Sequence, residues 1–185
     1  MSISVHILKP IVTAVFLTVA FSLPASAQDS LDDLFTQLAT PELEAWEQVE
    51  EKIVESWSRS GSASMDLLLS RGRDALEEGD SLAAIDHFSA LTDHAPDFAE
   101  GWHARAAAFF QVGEYGAAID DIQRALALNP RHFRAMAGLG IILEELKYET
   151  DALAAYRAAN AIHPHRPEVE TAIKRLAARL DGQDI

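Results

Sequence analysis

Apolar residues recur along the chain at intervals of three and four, the period of a helix with one face turned inward. Leu31, Leu34, Phe35 and Leu38 form one short amphipathic stretch. Thr40-Pro41 then offers a cap followed by proline at a first turn. Trp46, Val49, Ile53 and Trp57 continue the spacing and predict a helix over 41–58. Residues 59–64, Arg-Ser-Gly-Ser-Ala-Ser, interrupt the stripe as a turn or hinge. From 63 to 164 the stripe passes through pairs of helices of about 14 residues each. A final helix is predicted over 167–180, with Pro167 at its first turn, Glu168 and Glu170 near its start and Lys174, Arg175 and Arg179 near its end. Its stripe is Ile173, Leu176, Ala177 and Leu180, and Gly182 ends it. Alanine is abundant and β-branched residues are sparse after position 28, which favours close-packed helices over sheet.

The paired helices repeat. Pro96, Pro130 and Pro164 stand 34 residues apart, and other positions keep the same register. Gly72, Ala106 and Gly140 form a small-residue series, and Ala84, Ala118 and Ala152 a second. Phe88, Ile122 and Tyr156 are bulky; Leu68, Trp102 and Met136, and Leu91, Ala125 and Ala159, complete the set. Where two helices cross, a small residue lets the backbones approach, and the bulky series fills the space beside it. Gly79 and Gly113 end the first helix of their units, where positive φ is cheap for glycine; Lys147 holds the third place. Each proline closes a second helix.

In this register the chain resembles the tetratricopeptide repeat. Leu139-Gly140 matches that family's Leu-Gly pair, and Arg71-Gly72 and Arg105-Ala106 match it in part. Trp102 and Phe109 fit the first-helix aromatics, and Phe88 and Tyr156 the second-helix aromatic. The resemblance implies an all-α superhelix of three helix-pair repeats, 63–96, 97–130 and 131–164. The repeat domain spans 63–182, closed by a capping helix at 167–180 and preceded by an acidic helical extension at 28–62.

The first 27 residues are of another kind. A start bearing only Lys9 leads to an apolar run from Ile11 to Leu23, then Pro24 and Ala25-Ser26-Ala27. That is the layout of a secretory signal peptide with cleavage expected after Ala27, and the apolar run is too short to span a bilayer comfortably. The expected location is the periplasm, with no membrane insertion after cleavage. The chain has no cysteine, which excludes disulfides, thiolate chemistry and cysteine-bound zinc.

Charge narrows the partners. Removing Lys9 leaves 14 bases against 29 acids, a net charge of −15. Residues 28–60 hold nine acids and two bases, whereas acids and bases balance at eight each from 131 onward. Phosphate repulsion argues against nucleic acid, and the same sign argues against anionic lipid.

No catalytic set emerges. There is no Gly-rich phosphate loop, no H-E-x-x-H and no G-x-S-x-G. His163 and His165 flank Pro164 and read as solvated turn histidines; Asp120-Asp121 read as surface carboxylates; the serines from 56 to 64 read as a flexible link. The chain is therefore expected to be no enzyme, with no cofactor and no metal.

The resemblance places the first helix of each unit on a concave face. The candidate partner-binding residues there are Leu69, Arg73, His103, Phe110, Arg134, Ile141 and Glu144. The mixture of apolar patches with Arg73 and Arg134 suits an amphipathic helix or an extended segment bearing an acidic residue. Alternatively, the protein's own helix, 167–180 or 41–58, fills the groove. The expected function is a non-enzymatic periplasmic adaptor that binds another envelope protein or peptide segment. The other expectation is a self-associating module, a homodimer built on the Trp46/Trp57 helix. That helix is expected to cap the open face of the first repeat.

Overall fold

The computed structural model describes residues 30–182; the expected signal peptide, 1–27, lies outside them. The described residues form nine α-helices and no strand. These are α1 Leu31–Leu38, α2 Trp46–Trp57, α3 Ala63–Glu77, α4 Ser81–His94 and α5 Ala99–Gln111, then α6 Tyr115–Leu128, α7 Phe133–Glu145, α8 Glu149–Ile162 and α9 Pro167–Asp181. The pairs α3–α4, α5–α6 and α7–α8 pack closely, and each leans on the next.

The small-residue series sits where the helices of a pair cross. A Cβ added to Gly72 would lie 2.3 Å from the Phe88 ring, and one added to Gly140 would lie 2.7 Å from Tyr156. Neither distance is physically available, so both positions require glycine. The middle pair meets the same need with Ala106, buried in one cluster with Ile122. Each second helix ends two residues before its proline: α4 at His94, α6 at Leu128 and α8 at Ile162.

The turn inside each pair uses a left-handed residue. Gly79 has φ +81°, Gly113 has φ +80°, and Lys147 has φ +67°. Lys147 thus departs from the repeat in chemistry but not in backbone, and it carries the steric cost that glycine avoids.

The ends are sealed differently. Val169, Ala172 and Leu176 of α9 pack on Ala152, Leu153 and Tyr156, covering the last pair. At the other end, α1 and α2 form a cluster of their own (Leu34, Phe35, Leu38, Val49, Ile53, Trp57) that closes on Phe133 and Ile162. These partners belong to the third repeat. The extension therefore does not cap the first repeat's open face; it reaches back across the array. Its second helix also starts later than expected. Residues 40–43 make a turn, with the Leu43 N–H on the Thr40 carbonyl at 3.2 Å, and the helix begins at Trp46.

Two readings of polar residues are corrected. Asp121 is buried rather than a surface carboxylate, and it takes both arms of Arg105 at 2.7 and 2.9 Å. The serine run is partly tied down: Ser60 donates from its backbone N–H (2.7 Å) and its hydroxyl (2.6 Å) to Asp66.

Candidate partner-binding groove

The first helices α3, α5 and α7 lie side by side, and α2 runs from the starts of α5 and α7 toward the start of α9. At its C-terminal end, Trp57 stacks on His132, just before α7, at 4.3 Å between rings. At its N-terminal end, Trp46 lies edge-on to His163 at 5.3 Å and parallel to His165 at 6.3 Å, beside the start of α9. Helix α2 is amphipathic because Trp46, Val49, Ile53 and Trp57 share one face, and Glu50 falls on that same face, four residues after Trp46.

Glu50 is only 7% exposed. Its Oε1 accepts from Arg134 Nε (2.9 Å) and Nη2 (2.7 Å), its Oε2 from His163 Nε2 (2.9 Å), and Arg166 stands 3.9 Å away. Burial alone would raise its pKa. The hydrogen bonds of His163 and Arg134, with the charges of Arg134 and Arg166, outweigh that and lower it from 4.5 to about 2. Glu100 of α5 is built the same way. It is buried, its Oε1 takes Arg73, and its Oε2 takes His132 Nε2 at 2.9 Å. Despite its burial, His103 and His132 hold its pKa well below the ordinary range.

In both constellations the histidine plays one part. His132 Nδ1 accepts the Ala135 N–H at 3.2 Å, capping α7, and His163 Nδ1 accepts the His165 N–H at 3.4 Å. An Nδ1 that accepts leaves the ring proton on Nε2, which donates to the carboxylate. His163 is accordingly buried and structural, not a solvated turn residue. His165 is partly buried, its Nε2 2.9 Å from the Leu38 carbonyl.

Glu100, His103 and His132 bring three potential metal-ligand atoms within 4.8 Å of one another. Their hydrogen bonding disfavours a cation. Metal on His132 Nε2 would force the proton onto Nδ1, against the Ala135 N–H, and Arg73 already neutralises Glu100.

The seven sequence-predicted residues divide accordingly. Leu69 is buried in the core of the first repeat. Arg73 is held by Glu100 and, through Nη1 at 3.1 Å, by the Ser58 hydroxyl. Arg134 is held by Glu50, and Glu144 by Arg175 of α9. Three come together: His103, Phe110 and Ile141 line one cavity of about 250 Å³ between α5 and α7, with Ala107, Gln111 and Gly138. Helix α2 does not reach it. Ile141 is 44% exposed there, and Phe110 rests on Tyr115 at 5.7 Å between rings. The α2 half of the groove is thus occupied from within, and the half toward the C-terminal ends of α5 and α7 is open. The residues that sequence reasoning missed are Glu50, His132 and His163. Only Glu50 left a signal, as a carboxylate on the apolar stripe of its helix.

Among known proteins, the family model described as tetratricopeptide repeat matches residues 69–122 and 103–167. A TPR repeat-containing protein of Rhizobium etli is 31% identical over 159 residues, covering 85% of this chain and 78% of its own length. The first TPR of Spaghetti (RPAP3), solved with the HSP90 peptide SRMEEVD, superposes with a TM-score of 0.61 at 22% identity, covering 63% of this chain and 93% of that one. The Yersinia enterocolitica type III secretion chaperone SycD, in complex with a peptide of the translocator YopD, gives 0.60 at 16% identity, covering 64% and 95%.

Proposed function

Because the chain belongs to the tetratricopeptide-repeat family, we propose that it is a non-catalytic adaptor that holds a peptide segment of another protein in its concave groove. The observation that carries this reading is the open apolar cavity at Phe110 and Ile141. An exposed apolar cavity of this kind marks a binding surface more often than an idle one. The two structural relatives described with bound peptides support a peptide as ligand. The layout of residues 1–27 supports the periplasm as the place and an envelope protein as the partner. Among the described residues no helix is long and apolar enough to cross a membrane.

The alternative, self-association through the Trp46/Trp57 helix, loses its support. Trp57 is buried, and Trp46 is packed on His163 and His165 inside the same chain.

The test is site-specific photo-crosslinking in cells of the source organism. A photoreactive residue at Ile141 should capture a discrete partner band that one at Gln123, exposed on the second helix of its pair, does not. Equal capture at both positions, or none at Ile141, defeats the groove reading. N-terminal sequencing of the chain from the envelope fraction checks the expected start at Gln28.

A further inference from the structure

The partner's charge follows from which groove residues are already spent. Read as a sequence, the concave face offers Arg73 and Arg134 to an acidic ligand. In the fold both guanidiniums are neutralised inside the chain, Arg73 by Glu100 and Arg134 by Glu50. Arg175, at the other border of the groove, is bound to Glu144. An incoming carboxylate would have to compete with Glu100, Glu50 and Glu144 for these guanidiniums, the first two of them buried.

The open half has the opposite character. Beside the apolar cavity run the C-terminal ends of α3, α5 and α7, at Glu77, Gln111 and Glu145. These three positions are 34 residues apart, so they form one lip. Each helix end carries the negative pole of its dipole, and none of the three has a basic residue in its last turn. Glu77 and Glu145 are exposed and form no ion pair among the described residues. Glu145 lies one turn beyond Ile141 on the same helix face.

We propose that the open half-groove binds an amphipathic basic segment. An apolar side chain of the segment inserts between Phe110 and Ile141, and its lysine or arginine residues lie over the lip at Glu77 and Glu145. This rests on the groove reading above and assigns its ligand class. The cavity of about 250 Å³ takes one or two leucine- or phenylalanine-sized side chains. The strong acidity of the whole chain draws such a segment in, and the lip orients it.

The test uses the whole chain and a displayed library of random 16-residue peptides. Peptides are selected on the wild type and counter-selected on Ile141→Asp, which keeps the acidic surface but spoils the cavity, so merely charge-driven binders are removed. The expected survivors carry an apolar anchor and a net positive charge. Their Kd should rise about tenfold on Glu77→Gln/Glu145→Gln and on going from 50 to 300 mM salt. Survivors of net negative charge, survivors indifferent to the double substitution, or no survivors at all would overturn the inference. The crosslinking arm separates the two failures. An acidic segment captured at Ile141 sinks the basic-ligand inference and leaves the groove reading standing, whereas no specific capture sinks the groove reading itself.

Discussion

Glu50 and His163, 113 residues apart in sequence, meet in the interior through a hydrogen bond of 2.9 Å. With Arg134 on the same carboxylate, that contact fastens α2 across the groove of the repeats. The apolar face of the extension also packs on Phe133 and Ile162, and Trp57 and Trp46 lie on His132 and His163, so Glu50 is the buried charge within a larger docking surface.

Glu50→Gln keeps the shape but leaves Arg134 without its anion, whereas Arg166 keeps Glu168 at 2.7 Å. A loss of roughly 3 kcal/mol in urea unfolding is expected. Hydrogen exchange should rise across 31–57 while α5–α8 stay protected. Unchanged protection of α2 would show that its apolar face alone holds it.

Gly140→Val places a side chain into the Tyr156 ring, where even a Cβ would sit 2.7 Å away. Overpacking of this kind costs about 2–3 kcal/mol, or roughly 5–10 °C in Tm. Calorimetry on the variant decides, with Gly116→Ala, where an added Cβ meets nothing within 4 Å, as the tolerated control.

Lys147→Gly should stabilise. Lys147 is, among the described residues, the non-glycine residue at positive φ (+67°), in the turn where its repeat equivalents are glycines. Relief of that conformation is worth about 1 kcal/mol. A lower denaturation midpoint would mean that the Lys147 side chain contributes a contact of greater value.

Stability should fall with pH in two steps. Burial lowers the His132 pKa below 6.5 in spite of Glu100, so its neutral ring contributes stability that is complete above 6.5 and declines as pH falls below that value. The Glu50 pKa is lowered from 4.5 to about 2, so its contribution is complete above 4.5 and is lost as pH falls from there to about 2. Melting curves from pH 8 to 3 should show both steps. His132→Asn should flatten the upper one and Glu50→Gln should make the lower one shallower.

The repeat was legible because it is local. A 34-residue period, small residues at crossings and prolines after second helices all report contacts between helices adjacent in sequence. Pro96, Pro130 and Pro164 needed no tertiary information to be placed. Lys147 looked like a flaw in the register because side-chain identity was visible and backbone conformation was not. The groove was legible only as a set of positions. His103, Phe110 and Ile141 do share a cavity, yet Arg73, Arg134 and Glu144 do not line it, and their charges are already matched.

The sequence by itself determined the helices, their pairing and the surface that first helices share, because neighbours along a solenoid are neighbours in space. Only the tertiary structure decided where α2 lies. Its seat depends on Glu50 meeting His163 and Arg134, and on Trp57 meeting His132, pairings between residues far apart that no local period records. That placement spends the groove's cations on the chain's own carboxylates. A face that reads along the sequence as apolar patches with two cations is, once folded, an apolar cavity whose neighbouring cations are already paired.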